Sequence, residues 1–301
     1  MNYYILYIII FLMSRIPVPI GQFLGKILGI IASMIPFERS RISLDNIRQS
    51  FGDSMERHEI KRLYRQVLVR FGQMLFEVPH ILRIKQGNLD KYVTFEGEDN
   101  LLKALKKDKG VLILTGHFVN WELIAVGVAI RFGQLAVVAR PSRSRSQNRL
   151  IYKLRSRFGT EIIPKQNSMR QILFALRKNK MIAILLDQNV DWYQGVFVNF
   201  LGRWACVNKG LALIALKTAS PVIPIFPVKQ KDGRYKIVIG EELTLIRTGD
   251  KTMDVEENTA LFTKIIEKQV KEYPDHWFWF HRRWKTIPYC ALPNKSDNIS
   301  A

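Results

Sequence analysis

Five short apolar runs rich in β-branched residues punctuate residues 111–240: "VLILT" at 111–115, "AVVA" at 136–139, "MIAILL" at 181–186, "PVIPIFPV" at 221–228 and "YKIVIG" at 235–240. Between them stand "WELIAVGVAIRF", "SQNRLIYKLRSRFG", "SMRQILFALRKN" and "KGLALIALKTAS", each apolar at helical spacing. Short buried strands alternating with helices predict an α/β fold, with a largely parallel or mixed central sheet flanked by helices. In such sheets ligands gather outside the carboxyl ends of the strands. His117, Arg140, Asp187 and Gln188 each follow one of these runs and so fall at that edge.

Upstream, Ser54 to Leu82 places Ile60, Leu63, Val67, Leu68, Phe71 and Leu75 on one helical face, and Pro79 closes the pattern. Further upstream, "YYILYIIIFLM" (3–13) is apolar without interruption but shorter than the roughly 20 residues a helix needs to cross a bilayer. A second run, "IGQFLGKILGIIASMI" (20–35), follows after "SRIPVP". Residues 1–36 are therefore expected to form a membrane anchor, as one tilted span or as two helices lying in the interface, with buried core helices as the alternative. No basic residue precedes the first run, so the segment reads as uncleaved. Arg39, Arg41 and Arg48 follow it, and basic flanks stay on the cytoplasmic side, which would put a catalytic domain of residues 37–301 in the cytoplasm.

The 301 residues carry a formal charge of +20, which calls for an anionic partner: nucleic acid, an acidic lipid surface, an acidic protein or a phosphorylated substrate. No nucleic-acid-binding module is present to favour the first. Cys206 and Cys290 form no C-x-x-C pair, so neither a zinc site nor a disulfide framework is expected.

The stretch "TGHFVNWE" (115–122) carries the chemistry. Residues five apart on one helix diverge by about 140°, so His117 and Glu122 do not share a regular helix face. With His117 in the loop after the strand and Glu122 in the first turn of the next helix, capped by Asn120, the carboxylate can turn back to the imidazole. A carboxylate on one ring nitrogen leaves the other to take a substrate proton. Alternatively, His117 is a hydrogen-bonded core residue and Glu122 an acid favoured by the helix dipole. No G-x-S-x-G elbow, H-E-x-x-H zinc motif or G-x-x-x-x-G-K-[ST] loop occurs, which disfavours hydrolase, metalloprotease and P-loop chemistry. No metal or cofactor is called for, and a base without a protein nucleophile leaves the attacking group to the acceptor substrate.

With these residues placed, the sequence resembles the lysophospholipid acyltransferase superfamily, and within it the bacterial lipid A biosynthesis acyltransferases that complete the Kdo-bearing precursor. The matching stretches run in order: "RISLDNIRQSFG", "GHFVNWE", "VVARP", "RSRFG", "LLDQN" with "GVFVNFLGR", "NKGLALIALKTASPVIP" and "HWFWFHRRWKTIP". The resemblance implies a glycerol-3-phosphate acyltransferase-like fold. It also implies transfer of an acyl chain from acyl carrier protein to a hydroxyl of a lipid A precursor, at the cytoplasmic face of the inner membrane. His117 would be the base and Glu122 its orienting partner; Arg140, Arg157, Asp187 and Gln188 are candidate substrate-binding residues. For Arg155 and Arg157 a solvated helix face is the alternative, and for Asp187 a turn or cap. The glycerolipid relatives' "FPEGTR"-like block is absent, which speaks against a glycerophosphate acceptor; another glycolipid or lysolipid acceptor remains the rival reading. Acyl carrier protein, a phosphorylated acceptor and anionic lipid would all match the basic charge. In "HWFWFHRRWK" the mixture of Trp, Arg and Lys suits a headgroup region, or else a segment with its aromatics inside and its basic residues solvated.

Overall fold

The computed structural model describes residues 2–289 apart from Arg143 and Asn167; Cys290 lies outside the described residues. Four helices come first: α1 (Tyr3–Met13), α2 (Val18–Met34), α3 (Glu38–Phe51) and α4 (Arg57–Glu77). Two 3-10 turns, Val78–Leu82 and Gln86–Lys91, lead into an alternating body. It comprises β1 (Val93–Glu96), α5 (Glu98–Leu105), β2 (Val111–Thr115), α6 (Trp121–Phe132), β3 (Leu135–Ala139), α7 (Arg145–Ser156), β4 (Glu161–Pro164), α8 (Ser168–Arg177) and β5 (Met181–Leu185). A hairpin of β6 (Gly195–Phe200) and β7 (Arg203–Asn208) interrupts the alternation before α9 (Gly210–Thr218), β8 (Val222–Lys229), β9 (Tyr235–Ile239) and α10 (Lys251–Glu272).

Seven strands form one sheet in the order β1-β9-β8-β2-β5-β3-β4, parallel in every pairing except β8 with β9. The expected α/β architecture with a mostly parallel sheet is what the chain adopts. Strand β2 lies at the centre and all five of its residues are buried. Alternate side chains leave a strand on opposite faces, so Leu112 and Leu114 enter one apolar core while Val111 and Ile113 enter the other. The first core is completed by α4, α9, α10 and the hairpin, the second by α6 and part of α7.

No described helix is long and apolar enough to cross a membrane; α1 and α2 are bent by 113° at their junction. Each keeps exposed apolar side chains, among them Ile5, Ile8 and Leu12 on α1 and Ile20, Phe23 and Ile31 on α2. The opposite face of α2 is pressed onto α4. Gly21, Gly25 and Gly29 stand four apart and so form one stripe, and a Cβ on Gly25 would lie 2.5 Å from the Cα of Gln73, on Gly29 2.4 Å from that of Val69. The backbones meet because there is no side chain between them.

A buried polar cluster ties this pair to the sheet. Lys229 of β8 donates to Glu77 of α4 at 2.6 Å and to Gln73 at 2.8 Å, while Gln22 of α2 donates to the same Glu77 oxygen at 3.0 Å and the Tyr235 hydroxyl donates to the other. Burial lowers the Lys229 pKa, against which the Glu77 charge acts.

The C-terminal "HWFWFHRRWK" is irregular and forms part of the core. Trp277 and Trp279 are fully buried, packed edge-on at 4.7 Å between ring centroids. Neither is placed in a headgroup belt. The expectation that the basic residues would be solvated also fails at Arg283, which is 1% exposed. Its guanidinium donates to the Cys206 carbonyl at 3.0 Å and lies over the Phe200 ring; burial pushes its pKa down to about 10, with Asp187 acting in the other direction.

Candidate active site

Parallel strands β2 and β5 are adjacent, with Thr115 opposite Leu185. His117 and Asp187 each lie two residues beyond those partners, so the register alone brings them together at the carboxyl edge. The Nδ1 of His117 is 2.7 Å from Oδ1 of Asp187. The His117 backbone N–H donates to Oδ2 of the same carboxylate at 2.7 Å, and the Trp277 indole N–H donates to it at 2.8 Å.

Asp187 is 1% exposed. Burial on its own would raise its pKa, but the charge and hydrogen bonds of His117, helped by His281, hold it well below the usual carboxylate range. An ionised carboxylate on Nδ1 fixes the tautomer with the proton there, so Nε2 is left as an acceptor. Nε2 faces outward, 3.2 Å from the Gln188 amide nitrogen. With only donor N–H groups on the amide nitrogen, Gln188 marks where a substrate hydroxyl can bond.

Glu122 is elsewhere. Both its oxygens are taken by Arg155 of α7, whose Nε donates at 2.8 Å and whose Nη2 completes a two-pronged pair. The expected turn of Glu122 back to His117 does not occur, because a planar guanidinium offers a carboxylate two parallel bonds and an imidazole only one. Asn120 occupies the capping position with left-handed backbone and no side-chain cap bond, so the expected cap is also absent. Glu122 still reaches His117 indirectly: it accepts from the Trp121 indole at 3.1 Å, and the Trp121 ring packs edge-on against His117 at 5.1 Å.

The loop itself is pinned from the C-terminus. Val119 N–H donates to the His276 carbonyl at 2.8 Å and Phe278 N–H to the His117 carbonyl at 2.9 Å. Asn46 of α3, within the motif "RISLDNIRQSFG", donates to the Trp279 and His281 carbonyls, both at 2.8 Å. His281, which sequence reasoning did not single out, sets its ring 4.9 Å from that of His117. Burial pushes its pKa down to about 4, with His117, Arg283 and Arg39 adding to the shift and Asp187 opposing it. Only its place in a matched motif could have signalled it.

Among the other expected residues, Arg140 is exposed beyond β3 at the same edge. Arg157 points away from the dyad and donates to the Ile81 and Leu82 carbonyls of the first 3-10 turn. The ligand atoms of His117, Asp187 and His281 lie within 4.8 Å of one another, an arrangement open to a divalent ion.

A buried carboxylate, an oriented imidazole and an Nε2 bonded only to the exposed Gln188 amide suit proton abstraction from an acceptor once that amide is displaced. The sequence matches the family described as bacterial lipid A biosynthesis acyltransferase over residues 1–286, and the chain belongs to that family. It is 24% identical to the lipid A biosynthesis palmitoleoyltransferase of Escherichia coli (strain K12), over 93% of this chain and 90% of that protein. It is 22% identical to the lauroyltransferase of the same organism, over 93% and 90%. A phosphatidylinositol mannoside acyltransferase of Mycolicibacterium smegmatis is 22% identical over 74% of this chain and 72% of its own length.

Proposed function

We propose that the protein transfers a fatty acyl chain from acyl carrier protein to a hydroxyl of a Kdo-bearing lipid A precursor, at the cytoplasmic face of the bacterial inner membrane. The observation that carries the reading is the His117–Asp187 pair, with Nδ1 on the carboxylate and Nε2 held only by the exposed Gln188 amide, which a substrate hydroxyl would replace. His117 Nε2 takes the acceptor hydroxyl proton as the oxygen attacks the thioester carbonyl. The tetrahedral intermediate collapses with rupture of the carbon–sulfur bond, and the imidazolium returns the proton to the leaving thiolate. Asp187 stabilises the imidazolium in between. Glu122 is a positioning residue, acting through Trp121 and Arg155.

The charge of +20 supports an acidic donor protein and a phosphorylated acceptor. The exposed apolar faces of α1 and α2 support attachment in the interface of a bilayer. The mannoside-acylating relative supports a second reading, in which the same dyad serves another glycolipid hydroxyl.

The test is incubation of the purified chain with acyl carrier proteins charged with several chain lengths and a Kdo-bearing precursor, with lysophosphatidic acid as competing acceptor and His117→Ala as control. Transfer to the precursor that vanishes in the variant is expected. Transfer to the lysolipid alone would overturn the acceptor assignment.

A further inference from the structure

A cavity of about 930 Å³ opens where α1 gives way to α2, bounded by the two 3-10 turns and α7. Six basic side chains line it, Arg15, Arg83, Lys85, Lys91, Lys153 and Arg157, and no carboxylate does. None of the six forms an ion pair among the described residues. Arg83 donates to the Ser14 carbonyl and Arg157 to the Ile81 and Leu82 carbonyls, and Arg15 and Lys153 lie over the rings of Phe11 and Tyr7. Converging cations without a counter-charge repel one another and draw in an anion.

A second observation comes from within. His80 lines the same cavity, is 3% exposed, and has neither ring nitrogen in a hydrogen bond of acceptable geometry. The ring contacts the Ile16 backbone without a well-formed bond; burial, and next the Arg83 charge, lower its pKa against Glu77 and that contact, so a polar ring adds to the cavity wall without adding a counter-charge.

We infer that this cavity binds the phosphate of a lipid headgroup. The apolar flanks choose lipid over a soluble anion: Ile8, Phe11 and Leu12 of α1 and Ile20 and Phe23 of α2 are exposed on either side of the bend. A phosphate held among the basic side chains leaves its acyl chains free to lie along these faces. The phosphate can belong to an anionic glycerophospholipid of the bilayer or to a phosphorylated glycolipid acceptor. The inference rests on the reading that α1 and α2 meet lipid, and not on the catalytic assignment.

Lys85→Glu/Lys91→Glu tests it, since both lysines are exposed on the cavity rim. The control pair is Lys103→Glu/Lys106→Glu, equally exposed on and just after α5 and away from the cavity. The full chain is assayed for sedimentation with phosphatidylcholine vesicles with and without phosphatidylglycerol, and for the KM of the phosphorylated acceptor in detergent. Relative to the control, the cavity pair should weaken one of the two by about tenfold or more, each charge near a headgroup contributing about 1 kcal/mol. Loss in the vesicle arm identifies the bilayer phospholipid, and a raised KM identifies the acceptor. Equal loss in both pairs would mean diffuse surface charge and would overturn the site. So would no loss in either arm, or loss confined to binding of acyl carrier protein. If the wild-type chain transferred no acyl group at all, the vesicle arm would still read the cavity.

Discussion

Arg155 holds both carboxylate oxygens of Glu122 in a two-pronged pair. Each partner's side chain is less than a fifth exposed, so the pair is sheltered from solvent, and Glu122 bonds Arg155 and Trp121 rather than His117. The carboxylate bonded to His117 is Asp187, and the two acids should fail in different ways.

Asp187→Asn should lower kcat by roughly 10³- to 10⁴-fold with the fold intact, because an amide no longer fixes the tautomer or stabilises the imidazolium. Steady-state kinetics on the folded variant check this; near-normal kcat would argue against Asp187 as the partner of His117.

Glu122→Gln should reduce turnover by loosening Trp121 and leaving Arg155 without its counter-charge, by a smaller factor than Asp187→Asn. The exchange Glu122→Arg with Arg155→Glu should recover more activity than either single change. Kinetics of the two single variants and the double variant give the coupling directly.

Lys229→Met should destabilise the fold by about 3–5 kcal/mol, because Glu77 keeps its charge in a buried site with only neutral donors left. Unfolding in urea at neutral pH measures it. Replacing Glu77 by Gln in the same chain should restore part of the loss.

Stability should fall on acidification through His281. Its folded pKa, about 4, lies below the unfolded value of about 6.5. The unfolded chain therefore binds the extra proton first, and stability declines as pH drops from about 6.5 towards 4. The full span corresponds to a penalty on the order of 3 kcal/mol. His281→Asn should flatten the melting temperature over that window, which thermal unfolding in series of buffers would show.

Gly25→Leu and Gly29→Leu should separate α2 from α4, since even a Cβ at either position meets α4 backbone within 2.5 Å. Overpacking of this kind costs about 1–3 kcal/mol and more where the backbone must shift. Increased protease cleavage between α2 and α3 is the expected readout.

Strands β2, β3, β5, β8 and β9 and the helices between them were legible because buried runs and helical periods are local signals. Strands β1 and β4 were not: four residues each at the two ends of the sheet, they carry too few apolar positions to stand out. The hairpin of β6 and β7 hides among polar and aromatic residues, and its pairing partner is itself. His117 stands beyond an apolar run as its position implied, but the carboxylate bonded to it is Asp187 and not the expected Glu122. Glu122 is near in sequence, whereas Asp187 is seventy residues away and becomes adjacent only through the pairing of β2 with β5. Burial of Trp277 was one of two readings of the basic aromatic segment, whereas burial of Arg283 was in neither, since a guanidinium in a core needs partners that only the fold supplies.

The glycine stripe between α2 and α4 has a mechanical consequence. Two helices whose main chains touch cannot slide or tilt independently, and α4 is itself locked to β8 through Glu77 and Lys229. The apolar ridge of α2 and the imidazole of His117 thus belong to one stiff body. In the proposed setting the altitude of the base above a lipid surface is fixed by the protein, so turnover should be nearly indifferent to the thickness of the bilayer beneath it.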